Sequence, residues 1–322
     1  MPSYIIDLDL PESERWNKLL EEYKNELKLI VPYMKQMIDE LLGYSYYPII
    51  AFIKTYRALG KFIMYEKEIQ AIADKIGMSF EYTLMMQLCY EATACCTSVV
   101  TRVDGNYTFF RTMDWPLSFL KSLTVDLTFQ KDGKTLFYVT TWVVYIGALT
   151  VTVPEKYSMA VNYRRTQDIT FSGIVRNVFN ILGMHWPIGH LIRDICEHTT
   201  DVAKMKERIS TSPLVSPCYI TVCYSDDKPE VYARDVADTT MVTNEFVVQT
   251  NCDQGKCEPD ILYSVLRRQK VTELIERSGN DFITDMDMVH QLLDFPVLND
   301  ETVYYSVMSP KFGVHYSKII DV

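Results

Sequence analysis

Basic residues are in deficit, histidines are scarce and the first residues hold no apolar leader; each shortage removes a class of function. Lys and Arg number 32 against 42 Asp and Glu, a formal charge of -10. An acidic surface repels phosphate, so no nucleic-acid partner is expected. The opening MPSYIIDLDLPESERW has neither the basic start nor the apolar run of a signal peptide. That points to the cytoplasm, with a lysosomal or secreted protein as the alternative if a leader has been removed. No cysteine occurs in the first 88 residues, and the eight that follow (89, 95, 96, 196, 218, 223, 252, 257) show no disulfide framework. Cys252 and Cys257 stand too far apart for a CxxC pair, and nothing elsewhere completes a zinc site. No metal and no cofactor is called for. The five histidines (185, 190, 198, 290, 315) lie in ordinary helical or strand contexts, with no paired ligand signal.

What is present is apolar mass. With 322 residues, 48% of them hydrophobic, the chain can bury a large core. Apolar residues at three- and four-residue spacing predict helices over Glu12–Lys28, Leu29–Leu42, Pro48–Met64, Lys67–Ile76 and Ser79–Thr93. At Cys96 the texture changes: CTSVVTRV and YTFFRTM flank Asp104-Gly105-Asn106, a hairpin signal. LTVDLTFQ and TLFYVTTWV around Lys131-Asp132-Gly133-Lys134 predict a second hairpin. Further strands are expected at Tyr157–Asn162, Pro217–Tyr224, Glu230–Asp235 and Glu245–Thr250, and a closing hairpin from VYYSVMSP and GVHYSKII. Helical patterns return at Ser172–Leu182, Pro187–His198, Asp201–Ile209, Asp260–Arg277 and Asp285–Leu293. The uncharged run Thr135–Pro154 is long enough to raise a membrane span, but its β-branched content and Gly147 favour two strands.

The junction between helices and sheet reads ACCTSVV, so a nucleophile-capable residue starts a strand 95 residues into the chain. Cleavage of the Cys95–Cys96 bond would give Cys96 a free α-amine. The ordinary pKa of an α-amine, near 8, suits a base acting on the residue's own thiol. No histidine is then required. Taken singly, a cysteine at a strand start is more often a small buried hydrophobe, Arg111 with Asp114 an ion pair, and Asn251 a turn residue.

Their order along the chain carries more. Cys96-Thr97-Ser98-Val99-Val100, then Arg111-Thr112-Met113-Asp114, LTVDLTFQKDGKTLF, YIGALT, VVQTNCD, LRRQK and PVLNDETVYYSVM, preceded by YIIDLDLPESERW, resemble nearly end to end the acid ceramidase and N-acylethanolamine acid amidase family. That family is related to the bile-salt hydrolases and penicillin V acylases. The resemblance implies an α+β fold, a four-layer αββα sandwich of the N-terminal-nucleophile hydrolases, with residues 1–95 as a helical propeptide or α-subunit and 96–322 as the catalytic β-subunit. It implies an α/β heterodimer after self-cleavage, held by packing alone unless a disulfide forms.

It also implies roles. Cys96 would attack first its own upstream peptide and then a fatty-acyl amide through a thioester. Arg111 would lower the thiol pKa and orient the acyl carbonyl, and Asp114 would hold the new α-ammonium. Asn251 would donate into an oxyanion hole. Arg267 would orient the network, with Arg268 as the alternative register and Cys95 as the rival nucleophile. Trp115, Phe119 and Trp142, with Tyr163, are candidates to line an acyl groove. Tyr163 stands where the family carries an acid, which puts an acidic pH optimum in doubt, and Cys223-Tyr224 stands where it carries Gly-Gly, which should narrow the space those glycines leave. The sequence has one glycosylation sequon, Asn106-Tyr107-Thr108. Pro48–Met64 sets Ile49, Phe52, Ile53, Tyr56, Leu59, Phe62 and Ile63 on one face and Lys54, Arg57 and Lys61 elsewhere, which suits a core helix or a peripheral membrane contact. Two other readings stay open: a lipid-binding relative that never matures, and a bile-salt or penicillin acylase.

Overall fold

The structure, a computed structural model, describes residues 1–42, 46–88, 94–164, 185–253, 260 and 262–320. In chain order the strands are β1 (Ser3–Asp7), β2 (Cys95–Val103), β3 (Asn106–Asp114), β4 (Thr124–Lys131), β5 (Lys134–Trp142), β6 (Thr150–Val153), β7 (Tyr157–Tyr163), β8 (Cys218–Tyr224), β9 (Glu230–Arg234), β10 (Thr239–Thr243), β11 (Val247–Gln249), β12 (Asp281–Phe282), β13 (Thr302–Ser309) and β14 (Val314–Ile319). They build two sheets, one ordered β1-β4-β5-β6-β7-β8-β9-β10, the other β11-β2-β3-β13-β14 with β12 against β2. Both expected hairpins close on Asp-Gly pairs with positive φ, Asp104-Gly105 and Asp132-Gly133, the backbone that a tight turn between twisted strands demands.

Strand alternation sorts the core into layers. Val100, Phe109 and Met308 face the first sheet and meet Ala160, Tyr219 and Val231 there. Their neighbours Val99, Phe110 and Val307 face outward, under helices Ser264–Arg277 and Asp285–Leu292. On the far side, Val125, Leu127, Phe129, Phe137 and Val139 of the first sheet are covered by the N-terminal helices and by Ile188–His198 and Val202–Thr211. The result is helices, sheet, sheet, helices: the expected αββα sandwich.

As expected, the run Thr135–Pro154 forms two strands, supplying most of β5 and all of β6, and no helix among the described residues is long and apolar enough to cross a membrane. Other expectations need correction. No helix break occurs at Leu29: Lys24–Leu42 is continuous despite Pro32, because Leu27, Met34 and Ile38 form one buried stripe whose packing outweighs the lost hydrogen bond. The last long helix begins at Ser264 rather than Asp260. The call at Ser172–Leu182 lies outside the described residues. Residues 1–95 are not wholly helical, since β1 pairs in parallel with β4 at the edge of the first sheet.

Packing is not all that joins this region to the body, either. Glu68, fully buried, accepts hydrogen bonds from Arg193 Nη1 (2.6 Å) and Nη2 (2.8 Å), Trp16 Nε1 (2.6 Å) and Arg15 Nη1 (2.8 Å). Burial raises a carboxyl pKa, but Arg193 and these donors together hold Glu68 below its ordinary value.

Candidate active site

Cys96 and Arg111 sit on faces of β2 and β3 that look into the sandwich, where every buried polar atom needs a partner. The ladder pairs Cys96 with Met113 and Ser98 with Arg111, placing all four on one face. Arg111 is fully buried and threads between the sheets, donating to Leu149 O, Thr150 Oγ1 and, at 2.9 Å, Val161 O. Its Nη2 then lies 3.1 Å from Cys96 Sγ. That contact sets a fixed cation directly beside the sulfur.

The opposite face of the same strand ends carries Cys95, Thr97 and Asp114 beneath helix Ser264–Arg277. Arg267 reaches down from that helix: Nη1 donates to Cys96 O (2.7 Å) and Thr97 Oγ1 (2.8 Å), Nη2 to Asn251 Oδ1 (2.9 Å) and Ser264 Oγ (3.2 Å). Leu262 and Tyr263, both left-handed, turn the Leu262 carbonyl onto Arg267 Nε at 2.9 Å. Asp114 is buried, 3.5 Å from Arg267 Nη1, and accepts the Thr302 hydroxyl at 2.9 Å. Burial pushes its pKa up to about 6, against the opposing pull of Arg267. Burial likewise pushes the Cys95 thiol up to about 12, which leaves Cys95 the poorer nucleophile.

The five residues expected at the site therefore converge at one end of β2 and β3, but Asn251 is arranged differently from expectation. In the uncut chain Cys96 N donates to Asn251 Oδ1 at 2.9 Å. The amide orientation is fixed by chemistry: a guanidinium only donates, so the atom facing Arg267 must be the oxygen. Asn251 Nδ2 points to Tyr163 O at 2.9 Å, which turns the acceptor end of this amide, rather than the expected oxyanion donor, toward Cys96. Arg268 lies beside the network, donating to Cys252 O and Asp253 O.

Sequence reasoning missed Asn162. It is fully buried, donates to Cys96 O at 3.1 Å and Gln249 O at 2.9 Å, and accepts from Ser98 Oγ at 2.6 Å. A signal was available, for Asn ends the strand run MAVN and a buried Asn must spend its amide somewhere. Ser264, which accepts from Asn251 N at 2.9 Å, gave no signal at all.

Of the groove candidates, Trp115, Phe119 and Trp142 gather with Met34, Met37, Met86, Leu117, Leu120, Val144 and Tyr145 around a cavity of about 40 Å³. Trp115 and Trp142 meet edge to face at 5.2 Å, and the Trp142 indole N–H has no hydrogen-bond partner among the described residues. Tyr163 is not among these lining residues. A larger cavity, about 790 Å³, lies between edge strands β10 and β11 and is lined by Arg164, Asp253, Glu245 and Arg268 as well as apolar residues. Its charged wall suits an acyl tail poorly.

The family model for the beta subunit of N-acylethanolamine-hydrolyzing acid amidase matches residues 1–56. An uncharacterized protein of Acanthamoeba polyphaga mimivirus is 34% identical over 326 residues, covering 98% of both chains. Acid ceramidase of Balaenoptera acutorostrata scammoni is 28% identical over 337 residues, 97% of this chain and 84% of its own. A Caenorhabditis elegans N-acylethanolamine-hydrolyzing acid amidase ortholog superposes with a TM-score of 0.61 at 24% identity, over 70% of this chain and 100% of its own, and so has the same fold. The chain belongs to the acid ceramidase and N-acylethanolamine acid amidase family of N-terminal-nucleophile hydrolases.

Proposed function

We propose that the chain is a self-cleaving cysteine amidohydrolase acting on fatty-acyl amides of the ceramide or N-acylethanolamine type. The observation that carries this reading is the pair of contacts on Cys96, with Arg111 Nη2 3.1 Å from its sulfur and Asn251 Oδ1 2.9 Å from its nitrogen. In the first reaction the Cys96 sulfur attacks the Cys95 carbonyl carbon, and the acyl group passes from nitrogen to sulfur. Water then hydrolyses that thioester, leaving a Cys95 carboxylate and a free Cys96 amine. Asn251 Oδ1 receives this amine where it held the amide, so a base stands beside its own thiol without a histidine.

In the second reaction the amine takes the thiol proton and the thiolate attacks the substrate carbonyl. The proton goes to the departing amine, and water releases the fatty acid from the thioester. Arg111 holds the thiolate, while Arg267 and Asn162 fix the Cys96 carbonyl so that the strand end does not swing. Asp114, near its titration point at about pH 6, adjusts the charge around Arg267.

The acyl tail belongs in the apolar cavity that opens one residue beyond Asp114. At about 40 Å³ it has room for roughly one or two waters, so a tail enters only as the methionine-rich helical wall yields. Tyr47, Leu59 and Phe62 are exposed, with exposed Lys54 and Lys61 close in sequence, while Ile49, Ile53 and Ile63 are buried. Helix Tyr46–Ala58 ends before Leu59, so the single apolar face expected over Pro48–Met64 does not form, and the exposed Tyr47, Leu59 and Phe62 are the residues that would meet a lipid surface. Turnover of N-palmitoyl ethanolamine and of ceramide by wild type and by Cys96→Ala tests the reading. Release of fatty acid by wild type alone is expected; no release by either protein favours a lipid-binding relative that does not mature.

A further inference from the structure

Helix Phe80–Met86 ends on Gln87, which is fully buried. The Gln87 side-chain amide acts as a peptide group would in a strand: Nε2 donates to Val144 O at 2.9 Å and Oε1 accepts from Ile146 N at 3.0 Å. Residues 144–146 lie between β5 and β6, and this glutamine replaces the strand partner that they lack. Val144 and Tyr145 line the apolar cavity, as does Met86 beside Gln87. Tyr145 also packs on Trp142 at 5.8 Å, and only the absence of side chains at Gly147 and Gly189 leaves room for it: a Cβ there would come within 2.7 and 2.0 Å of its ring and hydroxyl. Four and five residues beyond Tyr145, the chain supplies Leu149 O and Thr150 Oγ1 to Arg111.

We infer that Gln87 is a specificity-determining positioning residue: by clamping residues 144–146 it fixes the wall against which a long acyl chain lies. The inference rests on the acyl-amide reading above. It makes the upstream piece part of the pocket, since Gln87 and Met86 lie before the cleavage site and their contacts lie after it.

Gln87→Glu tests this, because a protonated carboxyl reproduces the amide's bonding and a carboxylate does not. When neutral, the carbonyl accepts from Ile146 N–H and the hydroxyl donates to Val144 O. Once ionised, it faces Val144 O with a second acceptor and leaves a buried charge unpaired. Arg193 touches the other side of this loop through Ile146 O (3.1 Å) but is already met by Glu68 and Glu197, each at 2.6 Å.

The readout is kcat/KM for an N-palmitoyl and an N-acetyl amide, relative to wild type at each pH. At about pH 5, near the ordinary carboxyl range, the variant is expected to keep the wild-type preference. Burial defers ionisation of this carboxyl to about pH 8–9; above that the palmitoyl value should fall about tenfold or more, the acetyl value by less than about twofold. Equal losses for both amides, or no recovery in acid, would overturn the inference. If wild type hydrolyses neither amide, the acyl-amide reading fails and this inference with it. Hydrogen exchange on wild type gives a check that does not depend on the variant folding: the Ile146 amide should be strongly protected, and exchange at an open-loop rate would contradict the clamp.

Discussion

Two buried arginines, Arg193 and Arg111, show how one residue type does opposite work. Both are fully buried and both bridge layers of the sandwich. Arg193 is met by the carboxylates of Glu68 and Glu197 and lies over the Tyr65 ring at 4.3 Å. Its charge is spent within a clamp between the N-terminal helices and the body. Arg111 donates to carbonyl and hydroxyl oxygens, which are dipoles rather than charges, and so presents its cation to the Cys96 sulfur. A neutralised arginine holds a fold together, whereas one solvated by neutral oxygens can hold an anion that forms only during reaction.

Breaking the reactive side should give the largest effects. Cys96→Ala is expected to abolish chain scission and to lower amide turnover by at least about a thousandfold. Cys95→Ala, on the other face of the strand, should retain both within a few-fold, as read on gels and in fatty-acid release. Arg111→Met should slow alkylation of Cys96 by iodoacetamide by a comparable factor, because the thiolate loses its counter-charge.

Breaking the structural side should cost stability instead. Glu68→Gln leaves Arg193 with half its charge partner in a dry interior, and a loss of about 3–5 kcal/mol is expected in denaturant unfolding. Cys96 alkylation in the folded fraction should stay near wild type. A variant with normal stability and slow alkylation would erase the distinction between the two arginines.

A smaller effect follows from Asp114. Its folded pKa of about 6 exceeds the ordinary 3.8, so its contribution to stability is full below 3.8 and is lost as pH rises through 6. Scission and turnover should therefore show a limb with a midpoint near pH 6, and Asp114→Asn should remove it. A separate effect, confined to acid pH, concerns His190, whose two ring nitrogens have no hydrogen-bond partner among the described residues. Burial, with Arg193 adding to it, lowers its pKa from 6.5 to about 3. The unfolded chain then binds a proton that the folded one refuses, so stability falls as pH drops from 6.5 toward 3. His190→Leu should gain on wild type by about 1.4 kcal/mol per pH unit across that window in thermal melts.

The reactive region was far more legible in the sequence than the clamp. Cys96, Arg111, Asp114, Asn251 and Arg267 announced themselves through ordered motifs, and the Asp-Gly hairpins placed the first two on adjacent strands. Glu68, Arg193 and Gln87 gave no such sign, because a Glu, an Arg or a Gln within an amphipathic helix looks like surface until the partner strand is known. The orientation of Asn251 was hidden for a related reason, since only the guanidinium of Arg267 decides which end of the amide faces Cys96. Helix ends at Leu29 and Asp260 were misplaced where tertiary packing overrides local pattern.

The central claim is that Cys96 becomes a chain terminus. Intact mass of purified wild type, incubated across acid and neutral pH beside Cys96→Ala, tests it most directly. Two fragments meeting between Cys95 and Cys96 in wild type alone, still associated on a sizing column, are the expected result. A single uncut chain at every pH, with Cys96 alkylated no faster than the other thiols, would contradict the account.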